Sequence, residues 1–259
     1  MFWKTLCVAA IVSTGMVACA VRAEDAPKAK PTTAPTSKPT SRPAPKPRKP
    51  SDAVGEVDRN PKRHEAFLEE IKKGGPHDLV FIGDSITDFW PAKGKDSWAK
   101  FAEYKPLDLG VSGECTEDVL YRLNHGELDG YTPKAVVIMI GTNNIGHYGD
   151  EKPEWVAPGI EKIVKTVRDK FPDTHILLLG VFPRGQAESG ARAKVTAINS
   201  LLAKAKFDDK TKYLDIGQKF LDDKGELTPE IMPDKLHPTA KGYDIWYDAM
   251  WPTLSEMLK

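Results

Sequence analysis

The chain is 259 residues long, which is enough for one sizeable α/β domain with additional segments. It is formally neutral, with 37 basic and 37 acidic side chains, but residues 1–50 hold nine of the basic and only two of the acidic ones. The remainder is therefore acidic, which disfavours nucleic acid or an anionic lipid surface as its partner. Of the three cysteines, Cys7 and Cys19 lie in an apolar leader, and Cys115 alone cannot form an internal disulfide or a thiolate metal site.

Residues 1–23 have the pattern of a signal peptide, in which a positive charge precedes an apolar run. Val21 and Ala23 occupy the two positions that a signal peptidase reads, which predicts cleavage before Glu24. An uncleaved membrane anchor is one alternative, although the uncharged run is at the short end of the ~17–25 residues that span a bilayer. Lipid attachment at Cys19 is another. The sequence predicts export to the periplasm, the cell envelope or the extracellular space.

Residues 24–54 are rich in Pro, Lys and Thr and contain too few apolar side chains to bury a core. We expect a disordered, polyproline-like tether. Its basic charge could hold it against an anionic envelope surface, while a solvated spacer is the simpler interpretation.

From residue 55 to residue 259, short apolar runs alternate with amphipathic helical patterns. The predicted strands are residues 79–82, 107–109, 135–140, 176–179 and 213–216. This alternation predicts a single α/β domain in which helices cover both faces of a five-stranded parallel sheet.

Prolines and cap residues predict where helices begin and end. Thr116 is a predicted N-cap, and Pro158 is predicted to start a helix that ends at Pro172. His64 lies on an apolar helical stripe and is interpreted as a packed core histidine. The aromatic and Met stripe of residues 243–257 is likewise interpreted as core.

Five residues of the types that acyl transfer needs follow the predicted strands. Ser85 follows the first strand, Gly113 the second, Asn143 the third, and Asp234 with His237 the fifth. Because the carboxyl ends of parallel strands open on one edge of the sheet, we expect these residues to lie together. Ser85 would be the nucleophile, His237 the general base and acid, and Asp234 the group that orients the imidazole. The backbone N–H groups of Ser85 and Gly113, with the Asn143 amide, would form an oxyanion hole.

Each residue also has a structural interpretation when it is taken alone. Gly113 would be a turn glycine, Asn143 a helix cap and His237 a surface histidine, and Asn144 competes with Asn143 for the oxyanion role. The set as a whole, placed after successive strands, favours a functional interpretation.

Four sequence blocks resemble those of the SGNH hydrolases, also called GDSL esterases. They are Gly-Asp-Ser-Ile-Thr at 83–87, Gly-Val-Ser-Gly-Glu at 110–114, Gly-Thr-Asn-Asn at 141–144 and Asp-Lys-Leu-His-Pro at 234–238. Within that family the chain is most similar to the catalytic subunits of intracellular platelet-activating-factor acetylhydrolase, although those enzymes have neither the leader nor the tether.

The resemblance implies a flavodoxin-like α/β/α sandwich and a site without a metal or an organic cofactor. It implies Ser85, Gly113, Asn143 and His237 as the four defining residues, with Asp234 as the third member of a Ser-His-Asp triad. Other signatures, such as a Gly-x-Ser-x-Gly elbow or a His-Glu-x-x-His zinc pair, do not occur in the sequence. Cys115, two residues after Gly113, is interpreted as a buried structural thiol and not as a second nucleophile.

The preferred hypothesis is an exported serine esterase that removes short acyl groups, acetyl above all, from a carbohydrate or other oxygen ester. The loop after the fourth strand is polar and offers little surface for a long acyl chain; its Arg184 would contact substrate or form a surface salt bridge. A lysophospholipase or thioesterase is the alternative among enzymes. A tethered, catalytically weak glycan-binding domain with an exposed Trp90 is the alternative from another class. The sequence leaves a homodimer open.

Overall fold

The computed structural model describes residues 47–259. The predicted signal peptide and residues 24–46 of the predicted tether lie outside this described part. Within it, five strands form one sheet in the order β2-β1-β3-β4-β5, and every neighbouring pair is parallel. The strands are β1 Leu79–Gly83, β2 Leu107–Gly110, β3 Ala135–Met139, β4 His175–Leu179 and β5 Thr211–Leu214. The predicted five-stranded parallel sheet and its flavodoxin-like order are confirmed.

Nine α-helices in residues 47–259 connect and flank these strands. They are α1 Pro61–Lys72, α2 Ser85–Asp88, α3 Trp90–Lys93, α4 Lys95–Trp98, α5 Thr116–Arg122, α6 Thr142–His147, α7 Pro153–Lys170, α8 Gly190–Leu202 and α9 Ala240–Met257. A 3₁₀ segment, Ala99–Tyr104, continues α4, and a second one, Gly217–Phe220, follows β5.

The sheet is buried on both faces because alternate residues of its strands enter two separate apolar cores. On β1, Val80 and Ile82 join the core beneath α1, α5, α7 and α8. Leu79 and Phe81 join the core beneath α9 and the short helices that follow β1. This two-sided burial explains why β1 and β3 appear in the sequence as continuous apolar runs.

Helix α7 begins earlier than the sequence predicted. Pro153 and not Pro158 occupies its first turn, and Pro158 lies inside the helix. A proline there removes one backbone donor, but the apolar side of α7 is anchored in the core by residues such as Ile160 and Ile163. Packing therefore outweighs the local break signal. A smaller correction concerns Thr116, which is the first residue of α5, while Cys115 occupies the N-cap position.

The fifth strand is also shifted, to Thr211–Leu214 from the predicted 213–216. Asp215 ends the strand because its side chain accepts a hydrogen bond from the Gly217 backbone N–H at 2.8 Å. This local carboxylate turn competes with strand pairing.

Residues 47–54, at the end of the predicted tether, contact the sheet domain in the structure. Ala53 is buried, and its carbonyl oxygen accepts a hydrogen bond from the Thr116 hydroxyl at 2.7 Å. Arg48 forms ion pairs with Glu117 and Glu151. Residues 47–54 are therefore packed against the sheet domain, because their few anchoring side chains find partners far along the chain.

Trp90, predicted to be exposed, is 0% exposed. Its ring lies 4.1 Å from that of Trp246 and 5.5 Å from that of Phe81, and its indole N–H donates to the Ser97 hydroxyl. The aromatic stripe of α9 covers this ring, so both belong to the core, as predicted for the stripe itself. His64 is buried as well, with its Nδ1 2.8 Å from a Glu127 carboxylate oxygen.

In residues 47–259, none of the helices has both the length and the apolar character needed to cross a membrane.

Candidate active site

Ser85 lies where β1 ends and α2 begins. Gly83 closes the strand, and a Cβ at this position would lie 2.7 Å from the Met139 carbonyl oxygen of β3. Asp84 forms the N-cap of α2 through a 3.0 Å hydrogen bond from the Ile86 backbone N–H to its Oδ1. The turn places Ser85 in the first turn of α2, at the strand-order reversal between β1 and β3 where sheets of this type bind ligands.

His237 meets Ser85 across 152 positions of sequence, and Asp234 contacts His237 from the same loop. The Ser85 hydroxyl oxygen lies 2.9 Å from His237 Nε2, and His237 Nδ1 lies 2.6 Å from Asp234 Oδ2. The other Asp234 oxygen accepts hydrogen bonds from the backbone N–H groups of Leu236 and His237. These bonds fold residues 234–237 into a tight loop before α9 that fixes the carboxylate and the imidazole relative to each other.

The charge arrangement favours an ionised Asp234. Partial burial opposes ionisation, but hydrogen bonds from the His237 backbone and ring hold the pKa of the Asp234 carboxyl below its ordinary value. An ionised carboxylate at Nδ1 favours the tautomer in which Nε2 is free to accept a proton. The arrangement of hydroxyl, imidazole and carboxylate can therefore activate Ser85 as a nucleophile.

Gly113 lies in a loop that packs directly against α2. The Val111 N–H donates to the Gly83 carbonyl at 3.2 Å, and the Ser112 hydroxyl donates to Asp88 at 2.6 Å. Gly113 itself has φ +83°, a backbone conformation that a residue with a side chain adopts only with strain. The loop therefore depends on glycine at this position.

Asn143 belongs to the first turn of α6, which follows β3. Its side-chain amide donates to the Glu114 carbonyl oxygen at 2.9 Å, which ties α6 to the residue after Gly113. An amide carries two N–H groups, so one is left for another acceptor. Asn143 and Ser85 are both nearly buried, at 5% and 6% exposure.

Asn144, the competing residue, is held elsewhere. Its side-chain oxygen accepts from the Thr116 N–H, and its amide donates to the Thr116 hydroxyl, both at 3.1 Å. It is fully buried against α5. Of the two neighbouring asparagines, Asn143 is the one tied to the Gly113 loop.

Several polar residues around the site escaped the sequence analysis. Glu114 binds the Arg122 Nε at 2.8 Å and the Asn60 amide at 3.1 Å. Asn60 directly precedes α1, and Arg122 is the last residue of α5. Arg122 is almost fully buried and also donates to the Leu109 carbonyl and to Glu127. In the sequence, Glu114 is simply an acidic residue after Gly113, and Arg122 a basic residue at the end of the following helix. Charged residues in such positions are common on solvated helices, so the sequence does not single them out.

Arg184 is half-buried at the wall of the site. Its Nη1 donates to the Thr142 carbonyl at 2.6 Å, and a Cβ on Gly146 would collide with the guanidinium. Within residues 47–259 it forms no ion pair shorter than 4.0 Å, so the predicted surface salt bridge is not observed in that part. Burial lowers the pKa of this guanidinium, and the negative charge of Asp84 opposes that effect.

Asp84 is a fully buried carboxyl beside the nucleophile. Its Oδ2 finds no hydrogen-bond partner in the described part of the chain. Burial raises the pKa of Asp84 to about 7, against the opposing effects of the Ile86 N–H and the Arg184 charge. The group is therefore poised to change charge near neutrality.

Cys115 is buried, and its sulfur lies 3.9 Å from His147 Nδ1. Burial, reinforced by the nearby charges of Glu117 and Asp118, raises the pKa of the thiol, so it stays protonated at neutral pH. Ligand atoms of these three residues lie within 4.8 Å of one another, a spacing that a metal ion could use. However, Arg48 and Arg59 already neutralise the two carboxylates.

Known proteins are similar to this chain over most of the sheet domain. The model of the GDSL-like Lipase/Acylhydrolase family matches residues 81–245. Platelet-activating factor acetylhydrolase IB subunit alpha1 of Bos taurus is 34% identical over 182 residues, which cover 70% of this chain and 75% of that protein.

Solved structures share the fold at lower sequence identity. A GDSL-like lipase from Bacteroides thetaiotaomicron superposes with a TM-score of 0.62 at 21% identity, covering 74% of this chain and 97% of its own. A catalytic mutant of an acetylxylan esterase from Geobacillus stearothermophilus gives a TM-score of 0.57 at 19% identity, with coverages of 69% and 94%.

Proposed function

This chain belongs to the GDSL-like lipase/acylhydrolase family and is an ester hydrolase, and from this premise we propose that it is an exported serine esterase that removes acetyl or similarly short acyl groups from oxygen esters. One observation carries the catalytic assignment: Ser85 Oγ lies 2.9 Å from His237 Nε2, and Asp234 lies 2.6 Å from the opposite ring nitrogen.

In the proposed reaction, Ser85 Oγ attacks the ester carbonyl carbon while its proton passes to His237 Nε2. The negative charge that develops on the carbonyl oxygen is stabilised by the backbone N–H groups of Ser85 and Gly113 and by the free N–H of the Asn143 amide. Collapse of this intermediate expels the alcohol, which takes the proton from His237, and leaves Ser85 acylated. Water, deprotonated by His237, then releases the acid and restores the serine.

The preference for short acyl groups has two supports. The loop after β4 carries polar residues, with Gln186 and Glu188 exposed, and these two side chains add no apolar surface for a long acyl chain. The names of a sequence relative and of a structural neighbour, platelet-activating factor acetylhydrolase and acetylxylan esterase, both refer to acetyl groups. A carbohydrate acetyl ester is the substrate class that we favour for an exported enzyme.

The test compares wild-type full chain with Ser85→Ala on p-nitrophenyl acetate, butyrate and octanoate, and on acetylated xylan. We expect turnover of acetate to exceed that of octanoate and to fall ~10³-fold or more in Ser85→Ala. Ser200→Ala, on the exposed side of α8, is the matched control. Higher turnover of octanoate than of acetate would contradict the short-chain assignment, and activity retained by Ser85→Ala would contradict the nucleophile.

Export rests on the pattern of residues 1–23 alone, as argued from the sequence. Mass spectrometry of the protein recovered from a bacterial expression host would test it. A mature chain that begins at Glu24 supports signal-peptide cleavage, whereas a lipid-modified chain that begins at Cys19 supports the alternative. Recovery of uncleaved protein in the cytoplasm would contradict export.

A further inference from the structure

The segment that leads from the predicted tether into the domain is bound along α5 and α7. The Val57 N–H donates to the Glu117 carbonyl at 3.1 Å, and Lys162 of α7 donates to the Val54 carbonyl at 2.8 Å. Ala53 is completely buried. Arg48, at the start of this segment, forms ion pairs with Glu117 and Glu151 of the domain.

The Arg48 side chain is only 8% exposed and lies between two buried carboxylates. Its Nη1 is 2.9 Å from Glu117 Oε1, and its Nε and Nη2 both bind the carboxylate of Glu151. The guanidinium also lies 4.1 Å from the centre of the Tyr148 ring. Both carboxylate side chains are 0% exposed.

One of these two carboxylates, that of Glu117, accepts a hydrogen bond from the Asn144 side chain. Its amide lies 3.3 Å from Glu117 Oε2. Glu151 is tied to the end of α6 through the backbone: its N–H donates to the Tyr148 carbonyl at 3.2 Å, and the Tyr148 N–H donates to the Asn144 carbonyl at 3.3 Å. Arg48 therefore joins an acid of α5 to an acid that follows the end of α6. Asn144, which donates to the first of these acids, is the chain neighbour of Asn143 in the first turn of α6.

Without Arg48, the carboxylates of Glu117 and Glu151 would lose most of the positive charge that balances them. Arg59 pairs with Glu117 and Asp118, but within residues 47–259 the ion pairs of Glu151 shorter than 4.0 Å involve Arg48 alone. Two buried carboxylates that share a site repel each other unless a cation lies between them. Their separation would move α6 relative to α5, and Asn143 would move with it.

We propose that Arg48 is a positioning residue for the oxyanion hole: it joins Glu117 of α5 to Glu151 after α6, and thereby fixes α6 and the amide of Asn143. This inference rests on the proposed function of Asn143. It assigns a role in catalysis to a residue that composition places in the tether and that precedes residues 81–245, the part matched by the family model. Arginine suits the role because its fork can bind two carboxylates at once, which a lysine cannot reproduce.

The test measures kcat and KM of the full chain on p-nitrophenyl acetate for wild type, Arg48→Gln and Lys49→Gln. Lys49 is its exposed neighbour and serves as the matched control. We expect Arg48→Gln to lower kcat ~10–100-fold with KM changed less than about twofold, since a displacement of about 1 Å in a catalytic group has effects of this size. Lys49→Gln should behave as wild type.

A second variant separates positioning from general loss of stability. Adding Glu151→Gln to Arg48→Gln removes the repulsion between the Glu117 and Glu151 carboxylates. We therefore expect kcat of the double variant to exceed that of Arg48→Gln by at least about threefold. A double-mutant cycle measures this recovery as a coupling between the two positions. If Arg48→Gln does not fold, Arg48→Lys takes its place, with thermal unfolding measured in parallel.

Folded Arg48 variants with wild-type kcat overturn the proposal, as does a kcat loss that Glu151→Gln leaves unchanged. Absence of activity in wild type, or equal activity in Ser85→Ala, would refute the proposed function itself, so the two failures are distinguishable.

Discussion

The amide of Asn143 donates to the backbone carbonyl of Glu114 at 2.9 Å, across 29 positions of sequence. Glu114 directly follows Gly113, so this bond joins the two loops that would supply oxyanion donors. The Glu114 side chain is held in turn by Arg122 and Asn60. The proposed oxyanion hole is thus supported from behind by a buried ionic network, which keeps its donors in place before substrate binds.

This relationship predicts different effects for the two neighbouring asparagines. Asn143→Ala should lower kcat ~100–1,000-fold with little change in KM, because the donor acts on charge that develops in the transition state. Asn144→Ala should reduce stability by ~1–3 kcal/mol, since it leaves buried donors and acceptors on α5 unpaired. It should lower kcat less than Asn143→Ala does, because it acts on the site only through the position of α6. Ester kinetics and urea unfolding of both variants provide the measurement, with exposed Asn124→Ala as the control. Equal kinetic effects of the two would contradict the assignment of Asn143.

Asp234→Asn tests the orientation of the imidazole. An asparagine amide would donate to His237 Nδ1, which would place the proton on Nε2 and leave no acceptor for the Ser85 hydroxyl. We expect kcat to fall ~10³–10⁴-fold while the fold is retained. The exposed Asp223→Asn serves as the control, and circular dichroism checks that both variants are folded. A loss of less than about tenfold would show that Asp234 is not needed to orient His237.

The raised pKa of Asp84 predicts that the stability of the fold depends on pH. Its pKa is about 7 in the folded protein and ~3.9 in an unfolded chain. The folded protein therefore retains a proton that the unfolded chain loses, so the stabilisation is complete below about pH 4 and is lost as the pH rises through 7. Between pH 5 and pH 8 this group should reduce the free energy of unfolding by roughly 3 kcal/mol, taking about 1.36 kcal/mol per pKa unit.

Asp84→Asn removes this titration and should make the dependence shallower by that amount in urea unfolding at the two pH values. Asp108, whose pKa burial also raises to about 7, titrates in both proteins and therefore cancels in the comparison. Identical pH dependence in wild type and Asp84→Asn would show that the Asp84 pKa is ordinary.

Trp90 provides a test between core packing and glycan binding. Because its ring is enclosed by Phe81, Tyr243 and Trp246, Trp90→Ala should cost ~3–5 kcal/mol of unfolding free energy. Half-buried Trp155→Ala should cost clearly less. Urea denaturation measures both. A stable Trp90→Ala variant that had lost retention on immobilised glycans would restore the binding-domain alternative.

The sequence was sufficient to predict the sheet and the proximity of Ser85, His237 and Asp234. Strands β1 and β3 are recognisable locally, because a strand buried on both faces needs an unbroken apolar run. Ser85, Gly113 and Asn143 follow β1, β2 and β3, and parallel topology alone brings the ends of those strands to one edge. Asp234 and His237 are three residues apart, so their mutual hydrogen bond is largely a local matter of one loop.

Other features depended on contacts that no local pattern contains. Only the structure shows that the Asn143 side chain faces the Gly113 loop and the Asn144 side chain faces α5. Trp90 is buried by α9, more than 150 residues later, and α7 continues past Pro158 because core packing holds it.

Arg48 belongs to the domain because it meets Glu151, 103 positions away. Local propensity and periodicity are properties of neighbouring residues and can be read from the sequence. The burial and pairing of charged and aromatic side chains, in contrast, are set by partners that only the folded chain brings within reach.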